Sequence, residues 1–288
     1  MSAPPSAEVE RVRVTARAGW SLDASVVEGG GRARGTALCV HALGACSRAF
    51  LAGPGGGLVG RLAGAGFRAV LFDLRGHGAR AGEGGPPERW SFDALVRGDL
   101  ALLAETLRER FEGPLALVGH GLGGLAACAA AAALAPDALV LFGVSPWLPR
   151  LEPSPLRRFV KASLLGCGPG SDPLGRALRG ASGAPGAPPW AQFWPEASRW
   201  WAADAWLDAS GRDYLADLRQ VRCPALAFSS RADPLVCPPD CAQAFAARLG
   251  SSHLEHHVAG GPGHRGLVTG ERAAPLWQQS AEWLARRL

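Results

Sequence analysis

The chain has 288 residues, enough for one large domain or one domain carrying an insertion. Hydrophobic residues at 48% and charged residues at 19% exclude general disorder. The 30 basic residues exceed the 25 acidic ones by a dispersed, almost wholly arginine surplus, with Lys161 the single lysine. That distribution lacks the basic stripe of a nucleic-acid-binding surface. Residues 1–13 contain no apolar run, so no secretory signal is expected. The longest apolar stretch, 125–135, falls short of the ~18 residues that span a bilayer. Seven irregularly spaced cysteines then read as reduced thiols of a cytoplasmic protein.

The chain opens with two short extended patterns, 9–15 and 21–27, which predict an antiparallel hairpin. Five nearly all-apolar runs follow, at 36–40, 69–72, 115–118, 138–142 and 225–228. Such runs suit parallel strands buried on both faces. Between them, residues 93–111 place Leu95, Val96, Leu100, Leu103 and Leu107 at helical spacing, and an alanine-rich helix over 125–134 is stopped by Pro136. The alternation predicts an α/β fold with a mostly parallel central sheet flanked by helices. Residues 146–212 break it, being rich in Pro, Gly and Trp and without a buried strand. Six of the ten tryptophans fall there (147, 190, 194, 200, 201 and 206), so the segment must bury aromatic surface. It reads as an inserted helical lid, with its own small core or with aromatics lining an apolar pocket. The core is then 1–145 with 213–288.

Residues 115–124, LALVGHGLGG, run an apolar strand through a glycine-bounded turn straight into a helix. They resemble the nucleophile elbow of the α/β-hydrolase superfamily, G-x-S-x-G, which exposes a reactive side chain at the sheet's carboxyl edge. Here Gly119, His120, Gly121, Leu122 and Gly123 fill the five places, and the serine's place holds Gly121. Glycine tolerates the turn's backbone but has no side chain with which to attack a carbonyl.

Four further segments stand in the superfamily's order. Val40-His41-Ala42-Leu43-Gly44 resembles the His-Gly loop, which implies oxyanion donors at Ala42 and Leu43, completed by Leu122. Asp73-Leu74-Arg75-Gly76-His77-Gly78 resembles a loop in which His77 is structural. Residues 230–236 place Asp233 where the orienting carboxylate belongs, and Gly260-Gly261-Pro262-Gly263-His264 resembles the loop of the catalytic histidine. The resemblance thus implies the α/β-hydrolase fold and a triad reduced to Asp233 and His264. In such a triad the carboxylate fixes the imidazole tautomer and the imidazole takes the nucleophile's proton. His41, His120, Ser145 and Trp147 are further candidates to line the pocket.

Other readings compete for these residues. Residues 119–124 also satisfy G-x-G-x-x-G, but the following strand ends in Gly143, Val144 and Ser145 rather than a ribose-binding acid. His253, Glu255 and His257 would share one strand face but lack a ligand pattern of metal-site spacing, and Cys237 and Cys241 are not a CxxC pair. No metal or cofactor is therefore expected. A relocated nucleophile at Cys46, Ser47 or Ser145 would lose the elbow's alignment. The first expectation for function is binding of a small apolar or acyl-type ligand without covalent chemistry. The second is hydrolysis or proton transfer by the His264–Asp233 dyad, and the third an esterase with a relocated nucleophile.

Overall fold

A computed structural model of the protein describes residues 8–15, 21–77, 90–166 and 193–288. Trp190 and Gly78 lie outside the described residues, as does Cys167; the other six cysteines form no disulfide. Eight strands form one sheet: β1 (Glu8–Thr15), β2 (Ser21–Glu28), β3 (Thr36–Val40), β4 (Arg68–Phe72), β5 (Leu115–His120), β6 (Ala138–Phe142), β7 (Ala225–Ser230) and β8 (Leu254–Ala259). Their order is β1-β2-β4-β3-β5-β6-β7-β8. The expected hairpin is present, with Val12 opposite Ala24, and β2 runs antiparallel to β4. All remaining pairings are parallel. This is the α/β-hydrolase fold that the motif order implied.

Every residue of β3, β5 and β6 is buried, so both sheet faces must be covered. Leu38, Val40, Val70, Phe72 and Leu117 point into one core, and Ala37, Cys39, Ala69, Leu71, Ala116 and Val118 into the other. Helices α1 (Gly57–Gly64), α2 (Ala101–Arg110) and α3 (Leu122–Leu134) follow β3, β4 and β5. The chain's order reverses between β3 and β5, and at such a switch point the loops at the strands' carboxyl ends diverge and leave a crevice.

Two boundaries differ from expectation. The helix predicted over 93–111 begins as a wider π-type turn, Ala94–Leu100, before α2. That turn carries the buried Asp99, which receives a two-pronged bond from Arg75. Helix α3 starts at Leu122 rather than 125. Gly123 and Gly124 are weak helix formers, so the sequence pattern puts the start after them. The structure shows why they are tolerated: a β-carbon on Gly123 would lie 2.1 Å from the Val40 carbonyl oxygen.

The segment between β6 and β7 holds α4 (Pro155–Gly166) and α5 (Phe193–Ala203). Trp194, Trp200 and Trp206 are buried within the same core as the sheet rather than in a separate one. Phe92 packs edge-on against Trp200 at 5.2 Å and at a tilt against Trp206 at 5.7 Å. Lys161 is itself buried, bonded 2.7 Å to Glu152. Burial opposes the charge on Glu152, but Lys161 and Arg157 outweigh it and hold the carboxyl down at about 2. Among the described residues no helix is long and apolar enough to cross a membrane.

Candidate active site

The carboxyl ends of β3, β5, β6, β7 and β8 bring the predicted site residues together. The turn after β5 is built on glycine for two different reasons. At Gly119 a β-carbon would meet Gly124 Cα at 2.3 Å, and at Gly123 it would strike main-chain oxygen, so backbone packing alone demands glycine at both. Gly121 has φ 52 and ψ −118, the left-handed half of the map that L side chains rarely adopt. The nearest atoms that a β-carbon there would meet belong to side chains, Ala42 Cβ and His264 Nε2, each at 3.1 Å.

The loop after β3 is fixed by two histidines. His41 Nδ1–H donates to the Ala42 carbonyl at 2.8 Å, while Nε2 accepts from Leu74 N–H at 2.9 Å. His77 Nε2 accepts from Gly44 N–H at 3.0 Å, and its Nδ1–H donates to the Arg75 carbonyl at 3.1 Å. Burial lowers the pKa of both, that of His77 to about 3, and so keeps them neutral. His41 therefore has no ring nitrogen left for a ligand, and its place is inside the loop rather than on a pocket wall. His77 has the structural place expected of it. Ala42 abuts the β5 turn, and Leu122 is the first residue of α3, whose N–H has no acceptor within the helix.

Asp233 follows β7 and is buried. Its Oδ1 accepts from Val236 N–H at 2.9 Å, and its Oδ2 from Cys237 N–H at 3.0 Å and His264 Nδ1–H at 2.6 Å. With the proton on Nδ1, the lone pair of His264 lies on Nε2, the atom facing Gly121. The site can thus accept a proton at Nε2 of His264 and return it. The ring also passes close to Gly143, where a β-carbon would lie 3.0 Å from both Cε1 and Nδ1. Gly143 was not singled out by sequence, although a glycine directly after a buried strand at this edge is the signal that could have found it.

His120 is buried, and its Nε2–H donates to the main-chain oxygen of His264 at 3.1 Å. Ser145 donates to the Pro146 carbonyl at 3.3 Å. Trp147 donates its indole N–H to the Val236 carbonyl at 2.8 Å, beside the Asp233 loop. The main chain of Ser47 donates to Asp73 at 2.7 Å, and Cys46 precedes a short 3₁₀ turn. Among the described residues none of Cys46, Ser47 and Ser145 hydrogen-bonds to His264. On β8, Glu255 is taken up by Trp283 and Arg287, and His257 by Gln279. His253 falls just outside the strand that was expected to include it.

Residues 37–279 match the sequence model of the Alpha/beta hydrolase family. No curated protein sequence matches the chain. Among solved structures it is similar to the esterase domain of a Rhodothermus marinus protein (17% identity, TM-score 0.62, covering 97% of this chain and 98% of that one). An esterase of Pyrococcus furiosus is similar at 16% identity and TM-score 0.65, covering 97% and 91%. A monoacylglycerol lipase of Paleococcus ferrophilus is similar at 19% identity and TM-score 0.61, covering 98% and 100%. At these identities the structural matches speak for the fold alone.

Proposed function

The chain belongs to the alpha/beta hydrolase family, and from that premise we propose that it acts on a small ester- or acyl-type ligand without forming an acyl-enzyme. In this reading Gly121 stands where the family's elbow has its serine, and the β6–β7 segment is the lid. His264 is the general base. The observation that carries the reading is the pairing of two contacts: Asp233 engages Nδ1 of His264 at 2.6 Å, and Nε2 faces the side-chain space of residue 121.

The chemistry then runs through water. Nε2 removes a proton as the water oxygen attacks the ligand carbonyl, and the negative oxygen that forms is held by main-chain N–H groups of the Ala42–Leu43 loop and Leu122. When the ester bond breaks, the imidazolium returns its proton to the departing alkoxide. A positioned imidazole contributes typically about 10²–10⁴-fold. The retained Asp233–His264 bond favours turnover over binding alone, and the lack of a hydrogen bond from Cys46, Ser47 or Ser145 to His264 among the described residues speaks against a relocated nucleophile.

The test compares the unmodified protein with His264→Ala and Gly121→Ser, using short p-nitrophenyl esters and a fluorophosphonate probe. The unmodified protein should hydrolyse slowly, show no burst and take no label, and His264→Ala should lose about 10²-fold or more. Gly121→Ser should gain labelling once its neighbours yield a few tenths of an ångström, at a strain cost of about 1–3 kcal/mol. Stoichiometric labelling of the unmodified protein, or hydrolysis indifferent to His264→Ala, would overturn the reading.

A further inference from the structure

We propose that His120 is a positioning residue for His264, fixing the base through its main chain; this rests on the reading of His264 as the base. His120 closes β5, one residue before the turn, and is only 2% exposed. A carbonyl can only accept, so the 3.1 Å contact with the His264 oxygen puts the His120 proton on Nε2 and its lone pair on Nδ1. Nδ1 has no hydrogen-bond partner among the described residues. Among the described residues the ring's one hydrogen bond is thus to the peptide of His264, and the two imidazoles lie 4.8 Å apart, inclined by 32°.

This arrangement is costly as packing alone. A buried polar atom left unpaired keeps its desolvation penalty, which an apolar side chain of the same shape would avoid. The imidazole is accounted for by what its one bond does. His264 follows Gly260, Gly261 and Gly263, a stretch with few side chains to define its path. The other donor to the His264 carbonyl is Leu267 N–H, at a longer 3.3 Å. Burial and the neighbouring His264 keep the His120 ring neutral, so the Nε2–H donor persists across the working pH range.

Proton NMR of the full chain tests this. The short Asp233–His264 bond should give a strongly deshielded Nδ1–H signal that His264→Ala removes. His120→Gln keeps a donor near the Nε2 position, so it should keep the signal. His120→Phe fills the space without a donor, and His120→Asn is too short to reach, so both should lose or broaden the signal. Their kcat for ester hydrolysis should fall about 10–100-fold with little change in KM, while His120→Phe melts no lower than the unmodified protein. His120→Asn carries the test if His120→Phe fails to fold. A signal unchanged in both variants overturns the positioning role and leaves the dyad standing. Absence of the signal from the unmodified protein overturns the dyad itself, and this role with it.

Discussion

Two groups of residues at the same edge of the sheet are built in opposite ways. In the loops after β3 and β4, His41 and His77 have both ring nitrogens bonded to main-chain groups. Across from them, His264 has one nitrogen bonded and the other facing Gly121, and it is partly exposed. The contrast separates residues that hold the frame from residues whose capacity is left unspent. The turn repeats the division among its glycines, since Gly119 and Gly123 are required by main-chain contacts and the nearest neighbours of a β-carbon at Gly121 are side chains. Changes in the first group should appear as lost stability, and changes in the second as altered chemistry.

The sharpest break would come from Gly123→Ala. Its new β-carbon would sit 2.1 Å from the Val40 oxygen, a main-chain contact that cannot swing aside. The loss should exceed the ~3 kcal/mol of ordinary overpacking, read as an unfolded product or a collapsed urea midpoint. Acid should come next. His41, His77 and His120 are all held neutral by burial, so their folded pKa values lie below the unfolded value near 6.5. Their contribution is whole above that value and is lost as pH falls from it toward about 3, the value His77 reaches. Between about pH 7.5 and 5.5 the protein should therefore lose stability, visible as a lower midpoint in urea titrations at the two pH values; a flat profile would contradict their neutral, bonded state.

His77→Leu should cost less, about 1–3 kcal/mol, because it removes the acceptor of the buried Gly44 N–H bond. The smallest stability effect belongs to His264→Ala, within about 1 kcal/mol in a melt, since Asp233 keeps its bonds from Val236 and Cys237. If His264→Ala proved the more damaging of these two to stability, the division between frame and site would fail.

Much of this edge was legible in the sequence because the fold makes strong local demands. Buried parallel strands must be apolar throughout, and each glycine-bounded loop followed its strand in the superfamily's order. Asp233 and His264 were placed by that order, and the structure sets them 2.6 Å apart. What the sequence left out depends on through-space approach. The inward turn of His41 is decided by Leu74, 33 positions away, and the bond from His120 to His264 spans 144 positions. The tryptophans of 146–212 illustrate the same limit, because composition announced buried aromatics but not that Trp194, Trp200 and Trp206 would join the main core.

The indole of Trp147 grips the carbonyl of Val236, and the N–H of that same residue is held by Asp233. One amino acid thus ties the start of the β6–β7 segment to the carboxylate bonded to His264. A shift of Trp147 would bear on the same residue whose N–H bonds Asp233. Two hydrogen bonds through this single residue thus couple the start of the β6–β7 segment to the Asp233–His264 pair.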